Sequence, residues 1–314
     1  MRGLHRPLVV VSAAMTLLAL ACVAGLWLDD RVLTGAPIWL KPFKFAVSTV
    51  IYAMTLAWMI SLLDDRRRRI GGRLGNVITV ALTVELIAIV GQVLRGRPSH
   101  FNVATAFDTA VWSVMAASIM ILWVASLGLG LILLRQRIPD RPAALAVRLG
   151  LLIAVAGMAV GFLMTGPTPA QLDGMRAGGA PELIGAHSVG VEDGGPGLPI
   201  VGWSTIGGDL RVGHFLGLHA LQALPLVALG LSLLARRQGF LNEAHRMRLV
   251  AVAAFGYAWL TGLVTWQALR GQSLIHPDGL TLAVAAAGAV TLLAGVVWAS
   301  RARTTAPGGF ELAR

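Results

Sequence analysis

Apolar residues run along this chain in eight blocks of roughly 20, at approximately 8–28, 43–63, 77–95, 108–132, 144–165, 213–235, 249–270 and 279–300. A helix rises 1.5 Å per residue, so about 20 apolar residues match a hydrocarbon core of about 30 Å. Such a span satisfies its own backbone hydrogen bonds. The pattern predicts an all-α integral membrane protein with eight transmembrane helices. The first block follows Arg2 and Arg6, and Ala19-Leu20-Ala21-Cys22 faintly resembles a lipoprotein cleavage site. The apolar run continues through Trp27, however, so the block reads as a retained helix.

Composition sharpens this reading. Of 314 residues, 56% are hydrophobic and 13% charged, against about a quarter charged in soluble domains. A soluble enzyme, a disordered chain and a disulfide scaffold are excluded, and Cys22 has no second cysteine to pair with.

A net charge of +11 would suggest nucleic acid in a soluble protein. Here the charge lies between spans, where it sets orientation, and no nucleic-acid partner is expected. Arg2, Arg6, Arg66–Arg69, Arg73 and the arginines at 135–148, 236–248 and 301–314 place 18 of the 26 basic residues on one side. The positive-inside rule makes that side cytoplasmic, with both termini inside. On the other side lies the connection 166–212, rich in Gly and Pro but carrying Glu182, His187, Glu192, Asp193, Trp203 and Asp209. Long connections of this kind are functional or disordered; this one reads as a lid over the outer face, with a floppy glycine loop as the alternative.

An internal repeat is visible. Gln92-Val93-Leu94-Arg95-Gly96 ends the third span and Gln267-Ala268-Leu269-Arg270-Gly271 ends the seventh, at an offset of 175 that also carries Trp123 onto Trp298. The expectation is two four-helix halves, 1–143 and 144–314, the second including 166–212. Four helices return the chain to its starting side, so the halves would be parallel.

Polar groups inside a bilayer are expensive and face the bundle interior. Of seven histidines, His100, His187, His214, His219 and His276 fall in the outer half or outside. His214 and His276 sit at the starts of the sixth and eighth spans, at similar depth. Two imidazoles there would reach both faces of one haem b, or a zinc ion; His100 and His219 are further candidate metal ligands. Within the sixth span, His214 and His219 lie about 140° apart and face different neighbours. Glu85, Gln92 and Arg95 share one stripe of the third span, with Glu85 near mid-bilayer as a proton relay or substrate contact and Gln92 beside it. Lys41 and Lys44 read as interfacial lysines that snorkel to the headgroups. Asp108 and Asp209 read as caps of the helices they precede. No zinc-protease, nucleotide-loop or serine-hydrolase motif is present.

The stretch Gly202-Trp203-Ser204-Thr205-Ile206-Gly207-Gly208-Asp209-Leu210-Arg211, continuing through His214, His219 and Gln222, resembles one found in bacterial multi-pass membrane proteins. That resemblance implies the bacterial inner membrane and brings no activity. The layout of eight helices, two halves and histidines at the outer ends of even-numbered spans is also similar to haem A synthase. By position it implies His214 and His276 as haem ligands, whereas the first half holds Lys44 and, out of register, His100. Three functions are therefore expected: a b-type haem redox protein with a membrane electron-transfer partner or quinone, a metal-dependent hydrolase of the outer leaflet, or a transporter whose route is lined by Glu85, Gln92 and Gln222.

Overall fold

The computed structural model describes residues 3–301. Its elements in chain order are α1 (Arg6–Leu28), a short hairpin of β1 (Val32–Leu33) and β2 (Ala36–Pro37), α2 (Leu40–Ser61), α3 (Asp65–Leu94), α4 (Ala106–Leu134) and α5 (Arg141–Val160). A 3-10 turn (Gly161–Met164), α6 (Pro169–Arg176), β3 (Ser188–Val189), β4 (Gly208–Asp209), α7 (Leu210–Ala235), α8 (Glu243–Leu269) and α9 (Gly279–Ser300) follow. Among the described residues, eight helices are long and apolar enough to cross a membrane: all except the eight-residue α6.

The apolar blocks locate the spans, and polar residues move the ends. α3 starts twelve residues before the expected 77, so Arg66–Arg69 and Arg73 ride on its first turns. Asp64 caps it, accepting from Arg67 N at 2.9 Å, and arginine is a good helix former. The fifth span gives up its α-geometry at Val160 and ends in the 3-10 turn.

The arginine-rich junctions gather at one end of the bundle. There Arg68 bonds to Gly3 O, Arg141 to Glu243 at 3.3 Å, Arg246 to Asp140 at 3.4 Å, and Arg248 to Trp298 O at 2.9 Å. The opposite end, here the loop end, carries the 165–209 connection. That connection holds regular structure. Thr168 and Gln171 cap α6 reciprocally, and β3 pairs antiparallel with β4, Ser188 opposite Asp209.

The main core packs Leu8, Leu56, Met59, Ile60, Ile78 and Leu129 between the first spans and α5. α1 packs on α2 and α3, α2 on α3, and α3 on α4; α5 likewise packs on α7 and α8, α7 on α8, and α8 on α9. The α5–α7 contact is the most extensive, because glycines let the backbones meet. A Cβ on Gly157 would lie 2.5 Å from Gly217 Cα, and one on Gly150 would lie 2.6 Å from Ala220 O.

The two Gln-x-Leu-Arg-Gly segments form matching corners at the loop end. Gln92 O accepts from Arg97 N at 2.9 Å and Gln267 O from Gln272 N at 3.2 Å, with Gly96 and Gly271 at φ +68° and +71°. In each corner the glutamine amide donates to a carbonyl six residues on: Pro98 O at 3.4 Å and Ser273 O at 2.7 Å. The arginine then reaches an aspartate at the start of the next helix, Arg95 to Asp108 and Arg270 to Asp278, both at 2.6 Å.

Candidate functional site

Between α2, α3, α4, α5 and α7, toward the loop end, lies a cavity of about 340 Å³ with mostly apolar walls. Its polar lining is Glu85, His100, His187, Arg211 and His214 with a few hydroxyls. The chain brings these together in steps. β3–β4 pairing and the bond from Leu210 N to His187 O (3.0 Å) fix His187 to the first turn of α7, four residues before His214. Ala186 N donates to Met164 O at 3.0 Å, which holds the same loop against the end of α5. His100 arrives on the α3–α4 connection, next to Phe101, a non-glycine residue held at φ +65°. That strained backbone sets the Phe101 ring between the His100, Trp112 and His187 rings at 6.0, 5.2 and 5.0 Å.

Each imidazole has one nitrogen committed. His187 Nδ1 faces Asp193 Oδ2 at 2.6 Å, and His214 Nδ1 faces Gly157 O at 3.0 Å. A carboxylate and a carbonyl only accept, so both rings carry hydrogen on Nδ1 and leave Nε2 as a bare base when neutral. The Nε2 of His187 has no hydrogen-bond partner among the described residues. His100 is polarised the other way. Lys41 Nζ donates to its Nδ1 at 3.1 Å, which turns Nε2–H toward Glu85 Oε1 at 3.4 Å. Glu85 is 2% exposed, and neither of its oxygens has a hydrogen bond among the described residues.

Burial pushes the His100 imidazole well below the ordinary 6.5, and the Lys41 ammonium adds to that. Burial lowers His187 as well, partly offset by the Asp193 carboxylate. Burial works against charge on Asp193, but the His187 ring and the backbone N–H groups of His187 and Ser188 hold its carboxyl below the usual range. The dyad is therefore a neutral imidazole on a carboxylate, the protonation state a general base requires.

The structure redistributes the expected residues. Glu85, His100 and His214 share the cavity. Gln92 lies in the α3–α4 corner, donating to Asp108 Oδ1 at 2.9 Å, so the Glu85–Gln92–Arg95 stripe divides between cavity and corner. His219 faces Gln222 Oε1 at 3.3 Å, away from His214 as its helical angle requires, and Gln222 reaches Thr55 Oγ1 of α2 at 3.1 Å. His276 is exposed, with Nδ1 3.3 Å from Thr205 O, and does not line the cavity that holds His214. The cavity therefore brings His214 together with His100 and His187, and not with His276. Among the described residues no group of three or more His, Cys, Asp or Glu is placed to hold a metal ion. Asp209 is the N-cap of α7, accepting from Arg211 N at 3.0 Å; at α4 the cap is Thr105, with Asp108 bonded to it from the first turn.

Sequence reasoning left Lys41, His187, Asp193 and Arg211 out of the site. Lys41 reaches His100 and is half-buried instead of snorkelling outward. The signals for His187 were its place among the outer histidines and the acidic Glu192 and Asp193 five and six positions on. The chain matches no family model, no curated protein and no solved structure.

Proposed function

We propose that this protein is a membrane-embedded acid–base catalyst for an amphipathic substrate that enters from the bilayer. The observation that carries this is the bare Nε2 of His187, oriented by Asp193, in a cavity with mostly apolar walls. The route is lateral. Met120, which lines the cavity from α4, is 46% exposed on the face that meets lipid, and Thr165 lies exposed beyond α5. α4 and α5 pack sparsely, joined by the bond from Trp123 Nε1 to Val155 O at 3.1 Å. A substrate's apolar part fits among Trp123, Phe162 and Met158 while its reactive group meets the histidines. His187 accepts the proton, Asp193 stabilises the resulting imidazolium, and Glu85 with His100 forms a second proton-handling pair across the cavity.

The reading also takes the arginine end as cytoplasmic, which puts the cavity in the outer leaflet of a bacterial inner membrane. The matching corners and the parallel packing order of the two sets of four spans support two like-oriented halves.

The test uses the full chain in lipid nanodiscs made from bacterial lipid extract, incubated in D2O and followed by mass spectrometry. Wild type is expected to change the mass of one amphiphile, by exchange or by reaction, and H187Q to leave it unchanged. Identical lipid profiles with wild-type and empty nanodiscs would overturn the reading. So would a Soret band in protein from haem-replete cells, which would assign the site to haem.

A further inference from the structure

A second cavity of about 680 Å³ lies at the loop end and shares Phe45, His100, Phe101, His187, Arg211 and Phe215 with the first. The two therefore meet at the histidines. Their walls differ in charge. Both are mostly apolar, but Lys41, Lys44 and Arg97 line only the second, and Arg211 lines both. Asp193 is the one carboxylate in that lining, and His187 engages it.

Three of the four cations have no carboxylate partner: Lys41, which donates to His100 Nδ1 at 3.1 Å, Lys44 and Arg97. Six arginines lie at the loop end, and five are matched with aspartate: Arg31 with Asp29, Arg95 with Asp108, Arg176 with Asp173, Arg211 with Asp209 and Arg270 with Asp278. Arg97 is the exception among the described residues. Lys44 donates only to a backbone carbonyl, Val201 O, at 2.9 Å. That carbonyl belongs to a turn between Ile200 and Gly202, both at positive φ. A fold that neutralises every other loop-end arginine leaves Arg97 without a carboxylate beside the same cavity as Lys41 and Lys44, where the three confer a positive potential. Lys41 is already engaged by His100, which leaves Lys44 and Arg97 for a ligand.

We infer that the second cavity binds the phosphate headgroup of the amphiphile whose apolar part occupies the first, with Lys44 and Arg97 as its charged contacts. This rests on the lateral-entry reading of the apolar cavity, and it names the substrate class. Phosphate oxygens accept from ammonium and guanidinium groups as short, charge-assisted hydrogen bonds. Lys44 can exchange its bond to Val201 O for a phosphate oxygen without uncovering a buried carboxylate. Proton transfer would then take place at the junction, where His187 belongs to both cavities.

The experiment measures ligand-induced thermal stabilisation of the full chain in an uncharged maltoside detergent, with three probes: dioctanoyl phosphatidic acid, dioctanoylglycerol and inorganic phosphate. The phosphatidic acid is expected to stabilise saturably, at a concentration at least tenfold below either of the others. K44Q and R97Q should each raise that concentration about tenfold, the range for losing one hydrogen bond between charged groups. Arg97 is exposed and makes no side-chain hydrogen bond among the described residues, so R97Q preserves the fold and carries the test if K44Q does not assemble. Equal response to dioctanoylglycerol, or a phosphatidic acid response untouched by R97Q, would overturn the proposal. Inorganic phosphate binding as tightly as the lipid would overturn the lipid source. Lysine- and arginine-dependent lipid binding in a protein with no turnover would leave this site standing while the proton-transfer reading falls.

Discussion

Replacing Gly157 by alanine adds one methyl group where α5 and α7 meet backbone to backbone. The new Cβ would lie 2.5 Å from Gly217 Cα, 2.6 Å from Gly217 C and 2.7 Å from Leu218 N. Carbon atoms in contact prefer about 3.5–4.0 Å, so α5 and α7 must part by about 1 Å. Every neighbour is backbone, so no flexible side chain can yield. Overpacking of this kind costs about 1–3 kcal/mol. The same shift stretches the bond between His214 Nδ1 and Gly157 O, now 3.0 Å, and losing it adds about 1 kcal/mol. Alanine returns about 1 kcal/mol through its better helix propensity. The net expectation is a loss of about 1–3 kcal/mol, seen as a melting temperature several degrees lower. Cys22 is the only cysteine and fully buried on α1, so a fluorogenic maleimide reports unfolding in detergent without further labelling. Gly230→Ala on α7, where a Cβ meets nothing within 4 Å, is the control and should melt at or slightly above wild type. A Gly157→Ala protein as stable as wild type would refute the close-packing argument.

Three further outcomes are expected. Asp193→Asn presents an amide N–H to His187 Nδ1 and moves the ring hydrogen to Nε2; turnover of the amphiphile should fall about 100-fold or more, while expression holds because Oδ1 still accepts from backbone N–H groups. Equal turnover would remove His187 as the base. Glu85→Gln keeps shape in a pocket where neither oxygen is hydrogen-bonded, so melting should stay near wild type and turnover should drop; unchanged turnover would make Glu85 purely structural. His100 and His187 both have folded pKa values below the ordinary 6.5. Below about pH 6.5 the unfolded chain therefore binds protons that the folded chain refuses. Stability should be full above that pH and fall as pH drops toward 5, and His100→Gln should flatten the profile measured with the Cys22 reaction.

The spans were legible because a 20-residue apolar block has one stable solution in a bilayer. The start of α3 was not, since Arg66–Arg73 has no apolar periodicity and declares its helix only through the Asp64 cap. In the site, Glu85, His100 and His214 could be named from polarity alone, because apolar surroundings make such residues conspicuous. Their partners could not. Asp193 meets His187 across a local turn, its carboxylate accepting from His187 N and Ser188 N, and a β3–β4 pairing of two residues per strand ties that turn to α7. Inside a glycine-rich segment neither leaves a periodic trace. Gln92 misled for the opposite reason: it shares a stripe with Glu85, but seven residues along the helix it has left the cavity and bonds to Pro98 O and Asp108. Depth also placed His276 level with His214, whereas the path of the loop before α9 left it at the surface.

The aspartate partners of the loop-end arginines bear on how the protein is inserted. If the arginine end is cytoplasmic, as proposed above, these arginines are carried outward against an inside-negative potential, which opposes each elementary charge by about 2.3 kcal/mol per 100 mV. Arg31, Arg176 and Arg211 have their aspartates two or three residues away, and Arg270 has its own eight away. Those segments can cross as electrically neutral units before any helix has found its neighbours. Arg97 has no such escort among the described residues; in the proposed orientation it crosses as a bare cation, and its translocation should be the step most sensitive to collapse of the membrane potential.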